Sequence, residues 1–135
     1  MVLLHDNMNK KILTTGGIFG ITAIILGAFG AHTLKQFLTS EQLTSFETGV
    51  RYQMYHAFFL LFLGITETIS LKTKKTIAIL TILGTSLFSG SIYLLSTMSI
   101  SNINFKPIGI LTPIGGTLLI VAWGMLTIHF SKKKI

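Results

Sequence analysis

Four apolar runs, Ile12 to Ala31, Val50 to Ser70, Thr76 to Met98 and Ile108 to Phe130, take up most of the chain. Each is close to the roughly 20 residues that a helix needs to cross a hydrocarbon core. Lipid offers the backbone no water, so a run of this length must satisfy its own N–H and C=O groups as a helix. The pattern predicts an all-α fold, an integral membrane bundle of four transmembrane helices that makes one domain over residues 1–135. Composition points the same way, with 50% hydrophobic residues, 11% charged residues and a mean hydropathy of +0.70. A soluble domain of this size needs a charged surface that these residues cannot supply. The chain has no cysteine, which excludes disulfides, thiolate catalysis and Cys-bound metals.

The formal charge of +7 sits in short clusters between the apolar runs, the pattern of membrane anchors rather than of a nucleic-acid surface. Lys10 and Lys11 precede the first run, Lys72, Lys74 and Lys75 join the second to the third, and Lys132, Lys133 and Lys134 follow the fourth. The alternate loops hold only Lys35, Arg51 and Lys106, a ratio of eight to three. That asymmetry predicts a multi-pass protein of the plasma membrane with both termini cytoplasmic. The first run, with "AFGA" at its end as a cleavage site, also has the outline of a signal peptide, but it exceeds the usual length of about 7–15 residues. It reads as a span.

Between the first two runs, Thr39 followed by Gln42 fits a capping box, so a helix is expected to start near Ser40. Leu43, Phe46 and Val50 recur at helical spacing, which suggests a short interfacial helix on the outer surface that leads into the second span. Pro113 falls in the first turn of the last span, where its missing N–H costs nothing.

In the first span, Gly16, Gly20, Ala23, Gly27, Gly30 and Ala31 fall within a stripe of about 100°. Small residues let another backbone approach closely, which is how helices associate in lipid. Gly90 and Gly116 are read as packing positions on the third and fourth spans. His32 follows the glycine seam at the outer boundary.

The second span carries the polar groups that most need explaining. Arg51, Tyr52, Tyr55, His56 and Glu67 share one half of its helical wheel, and Met54, Phe58, Leu61 and Ile65 the other. The polar half is expected to face the other helices and the apolar half the lipid. Glu47 and Arg51 stand four apart in the order that favours an ion pair, and Arg51 can snorkel to the surface. His56 lies about 7 Å deeper, five residues at 1.5 Å each, where its short side chain cannot do so. In the third span, Ser86, Ser89, Gly90, Tyr93, Ser96 and Thr97 form a polar stripe. Tyr93 comes out at a depth similar to that of His56, so the two are expected to meet or to share a water. Polar contacts between membrane helices average only about 0.6 kcal/mol. Arg51, Tyr52, Tyr55, His56 and Tyr93 therefore read first as ties between helices, and second as a ligand, proton or ion site.

Sharper chemistry finds little footing. A bis-His haem would have to use His32 and His56, yet His32 points away from the glycine seam. The four His are scattered along the chain, which argues against a convergent zinc or di-metal site, so no metal and no cofactor is expected. A proton path from His56 to Glu67 would cross about 16 Å. The chain has no phosphate loop and no nucleophile elbow.

The strings "GAFGAH" at 27–32, "YQMYH" at 52–56, "FSGSIYLL" at 88–95 and "LTPIGG" at 111–116 resemble the small membrane proteins filed as domain of unknown function 423. The eukaryotic transmembrane protein 256 is similar to that family. The resemblance runs in order from the first span to Trp123, with one departure at Ala122, where the family is expected to have Gly. It implies a bacterial plasma-membrane protein with four spans, and brings no catalytic residue with it. The leading expectation is a non-enzymatic accessory or assembly subunit that packs against a larger membrane complex or against itself. The alternative is a binding or transport module for a lipid, quinone or other small amphiphile in an outer-half pocket around His56. An intramembrane enzyme is the weakest of the three readings, because no nucleophile–base pair can be named.

Overall fold

The computed structural model describes residues 2–132, with side chains from residue 5 onward. Lys133 and Lys134, which contribute to the charge pattern, lie outside the described residues. The described residues are mostly helical and contain no strand. Four long helices, α1 (Val2–His32), α2 (Ser40–Ile65), α3 (Leu71–Ser96) and α5 (Leu111–Lys132), are joined by 3-10 turns at Leu34–Gln36 and Lys106–Ile110 and by the short α4 (Met98–Ser101). Three segments are long and apolar enough to cross a membrane by length and composition: His5–Gln36, Leu71–Ser96 and Lys106–Lys132. The helix α2 is not among them, because Glu41, Glu47, Arg51, Gln53 and His56 dilute its apolar character.

Local chemistry sets the boundaries. The Thr39 hydroxyl accepts from the Gln42 backbone at 3.2 Å, and the Gln42 side chain accepts from the Thr39 backbone at 3.0 Å. This is the expected capping box, and it starts α2 at Ser40. From there α2 continues unbroken to Ile65, so the stretch expected as a short interfacial helix leading into the second span is the first part of α2 itself, preceded by the 3-10 turn. The second run also ends sooner than expected. Thr66 turns to extended geometry, and Ser70 caps α3 by accepting from the Thr73 backbone at 3.3 Å. Glu67 therefore lies in the link rather than on the α2 wheel, and Lys72, Lys74 and Lys75 belong to the start of α3 rather than to a loop. At the far end of α3, Asn102 takes the left-handed conformation (φ 57°) after α4, a cap that Asn tolerates better than most residues. Pro113 does sit in the first turn of α5.

The helices form an open row: α1 packs on α2, α2 on α3 and α3 on α5. The helices α1 and α3 touch only lightly, and among the described residues no Cα of α2 comes within 8 Å of one in α5. The main core joins Ile12 of α1, Phe59, Leu60 and Leu63 of α2, Ile77 and Ala78 of α3, and Ala122 and Leu126 of α5. Leu34, Leu38 and Phe46 close the other end.

Glycines set how closely neighbours approach. A Cβ on Gly16 would stand 3.1 Å from the Ala57 carbonyl, on Gly27 3.3 Å from Val50, and on Gly30 3.1 Å from the Phe46 ring. Gly20 has ordinary clearance, 3.9 Å to Ala57. The closest approach is between α3 and α5, where a Cβ on Gly115 would meet the Phe88 backbone nitrogen and would lie 2.7 Å from the Gly84 carbonyl. Gly116, the expected packing position, has only ordinary contact with Phe88 at 3.6 Å, and Gly90 faces open space with nothing within 4 Å. The tightest positions are Gly49 and Gly64 on α2, Gly84 on α3 and Gly115 on α5.

Candidate functional site

The face that α2 turns inward is marked by Gly49, Gln53, His56, Ala57, Leu60 and Gly64, all buried. Arg51 and Tyr55 are exposed, Tyr55 by 53%, so the expectation that they face the other helices fails for these two, whereas Tyr52, although exposed, turns to α3 with its ring 4.9 Å from that of Phe88. Arg and Tyr are the usual residues of the membrane–water boundary, and their polarity marks depth rather than an interior face. The Arg51 guanidinium donates to the Thr48 hydroxyl at 3.0 Å instead of pairing with Glu47. Phe58 and Ile65 are strongly exposed as expected of a lipid face, whereas Met54 and Leu61 are half-buried, Leu61 within 3.1 Å of where a Cβ on Gly16 of α1 would stand.

His56 and Tyr93 do not bond each other. The Tyr93 hydroxyl donates to the Gln53 side-chain oxygen at 2.6 Å. The Gln53 amide nitrogen donates to the Phe19 carbonyl at 2.9 Å and to the Thr22 hydroxyl at 2.7 Å. One amide thus joins α1, α2 and α3. A turn away, the Ser89 hydroxyl donates to the Gly49 carbonyl at 2.7 Å, and Tyr93 packs on Phe46 with ring centroids 5.0 Å apart.

The partner of His56 is Trp123 on α5. The indole N–H donates to Nε2 at 3.1 Å. Indole is a donor only, so Nε2 carries no proton, and the proton on Nδ1 is given to the Tyr52 carbonyl at 2.6 Å. Both ring nitrogens of a side chain 4% exposed are therefore engaged. Phe59 stacks obliquely on the indole at 4.6 Å.

Beside this pair lies a lateral cleft of about 430 Å³, lined by Tyr52, His56, Phe88, Gly116, Leu119, Ile120 and Trp123. It fills the space left between α2 and α5, and its floor is α3. Its walls are aromatic and aliphatic, suited to a flat or branched apolar group. His32 remains exposed at the end of α1, and Glu67 is exposed in the link. No group of three or more His, Asp or Glu side chains stands close enough to hold a metal among the described residues.

Sequence reasoning missed Gln53 and Trp123, which tie α2 to α1 and α3 and to α5 respectively. Gln53 stands three residues before His56, and Gly49 and Ala57 extend the same face; that spacing of small and polar residues was the available signal. The choice of Trp123 over Tyr93 as partner of His56 follows from rotation about the helix axis, which depth alone does not give.

A model of the family described as "Protein of unknown function (DUF423)" matches residues 26–116. The match includes Gln53, His56 and Tyr93 and ends before Trp123. A UPF0382 membrane protein of Staphylococcus saprophyticus is 38% identical over 119 residues, which cover 88% of this chain and 95% of the relative. The UPF0382 membrane protein YwdK of Bacillus subtilis is 37% identical over 122 residues, 88% of this chain and 94% of its own length. A UPF0382 membrane protein of Haemophilus influenzae is 35% identical over 127 residues, 94% and 98% of the two chains. No solved structure matches.

Proposed function

The chain belongs to the DUF423 family of membrane proteins of unknown function, and we propose that it is a non-enzymatic accessory or assembly subunit of a membrane complex. The observation that carries this reading is the use to which its interior polar side chains are put. Gln53, Tyr93, Ser89, His56 and Trp123 each bond another helix, and the Ser91 and Thr112 hydroxyls join α3 to α5 at 2.6 Å. Groups held this way stiffen a scaffold and have little capacity left for reacting with a substrate. Purification of the tagged protein from its native membrane after cross-linking, with mass spectrometry of what is retained, tests the reading. A stoichiometric membrane-protein partner supports it, and a protein that runs alone with a bound small molecule contradicts it.

We place the subunit in the bacterial plasma membrane with four spans and both termini cytoplasmic. Although α2 is the most polar of the long helices, it packs antiparallel along α1 from Leu13 beside Gly64 to Gly30 beside Phe46. A helix held at the depth of an apolar neighbour over that length crosses with it. The buried Gln53 and His56 are bonded within the protein, so they remain affordable inside lipid.

The cleft between α2 and α5 favours a second reading, a module that binds a lipid, quinone or other amphiphile. Its aromatic walls suit a ring. Lipid and quinone analysis of the same purified sample separates the two readings.

A further inference from the structure

The weak contact between α1 and α3 leaves a groove on the face of the molecule away from the α2–α5 cleft. It is about 240 Å³ in volume and is lined by Met8, Lys11, Ile12, Thr15, Lys75, Ala78, Ile79 and Ile82. The two ends of that lining differ in character. Lys11 of α1 and Lys75 of α3, both exposed, flank the mouth, while Ile12, Ala78, Ile79 and Ile82 continue along the helices toward the hydrocarbon. Lys10 and Lys11, with Thr14 and Thr15, line a second hollow that adjoins the mouth. No carboxylate lines either one.

What keeps the two helices at this spacing is a contact just outside the mouth. Lys74 is fully buried, and its Nζ donates to the Asn9 side-chain oxygen at 2.8 Å. The tie crosses from α3 to α1, and the Glu67 carboxylate stands near enough to act on the charge of Lys74, which leaves Lys11 and Lys75 as the cations of the mouth.

We propose that this groove binds an anionic phospholipid, with the headgroup phosphate between Lys11 and Lys75 and an acyl chain along Ile12, Ala78, Ile79 and Ile82. The charge identifies the occupant. Two ammonium groups from different helices, without an acidic neighbour in the lining, match one phosphate, and the apolar groove that leads away from them matches the chain attached to it. Basic pockets between membrane helices recognise anionic headgroups in this manner, with each lysine near the surface contributing about fivefold in affinity. A zwitterionic lipid places its own ammonium against the lysines and loses most of that gain.

The test is native mass spectrometry of the full-length protein in detergent, titrated with phosphatidylglycerol or with phosphatidylcholine of the same acyl chains. One phosphatidylglycerol should be retained in preference to phosphatidylcholine. The double variant Lys11→Gln/Lys75→Gln should weaken that retention on the order of tenfold or more. The double variant Lys72→Gln/Lys132→Gln removes the same charge from exposed positions outside the groove and should leave retention unchanged. All four lysines are exposed, and an unaltered melting temperature checks that each variant is folded. Equal retention of the two lipids overturns the proposal, as does an equal loss in both double variants, which would reduce the effect to net charge.

Discussion

The indole of Trp123 donates to His56 across a space that the backbones of their helices do not close. Elsewhere the row is held by neighbours in sequence, α1 on α2, α2 on α3 and α3 on α5. Among the described residues this is the one side-chain hydrogen bond between the second helix and the last; Phe59 packs beside it, and Phe62 meets Phe130 further along with ring centroids 6.1 Å apart. The bond also fixes the imidazole as a neutral ring with its proton on Nδ1. The same two residues form part of the wall of the lateral cleft, so the tie and the cleft depend on each other.

Gln53 should matter more than any other polar side chain of the interior. Gln53→Leu removes its bonds to Phe19, Thr22 and Tyr93 together and leaves the Tyr93 hydroxyl without its acceptor. Tyr93→Phe removes only one of the three. At about 0.6 kcal/mol for each contact, the first substitution should lower unfolding stability in detergent by roughly 2 kcal/mol and the second by well under half of that.

Glycines that look alike in sequence should respond differently to substitution. Gly115→Ala sets a methyl group against the backbone of Phe88 and Gly84, neither of which can rotate away, and should cost about 1–3 kcal/mol. Gly90→Ala meets nothing within 4 Å and should be neutral or stabilising by up to about 1 kcal/mol, since Ala favours the helix. Melting curves of the two variants in one detergent make the comparison. Equal losses would mean that the close contact between α3 and α5 is absent.

How much of this was legible in the sequence differs from element to element. The helices follow from apolar runs of membrane length, and the start of α2 from a two-residue capping signal. The packing of Gly16, Gly27 and Gly30 follows from a seam of small residues. Grouping Arg51 and Tyr55 with His56 as one polar half gives the wrong inward face for α2. In lipid, charge and phenol hydroxyls report the distance to the boundary, while glycines and amides report the neighbouring helix. Read by that second signal, Gly49, Gln53, His56 and Gly64 would have given the face. The Glu67 position was lost for a different reason: nothing in an apolar run announces that Thr66 will leave the helix, and only the Ser70 cap shows where the next one begins.

The buried ammonium of Lys74 gives an asymmetric pair of variants. Asn9→Leu strands the charge without its acceptor and should destabilise by about 1–3 kcal/mol, whereas Lys74→Met removes the charge with the need for a partner and should cost less. Chemical unfolding of both in the same micelles checks the order.

Membrane orientation has its own test. Reporter fusions at Ile135 and after Glu67 should both show cytoplasmic activity, since six of the eleven basic residues flank those sites and Lys10 and Lys11 precede the first span on the same side. An external signal from either fusion would break the four-span topology.

The central claim is that the interior polar groups serve as ties between helices. A double-mutant cycle on His56 and Trp123 tests it most directly, from the unfolding free energies of the wild type, His56→Leu, Trp123→Phe and the double variant in one detergent. A tie predicts that the two substitutions are less than additive, with a coupling energy of about 0.6 kcal/mol and at most about 1.7 kcal/mol. Full additivity, with each single variant as stable as the wild type, would contradict it.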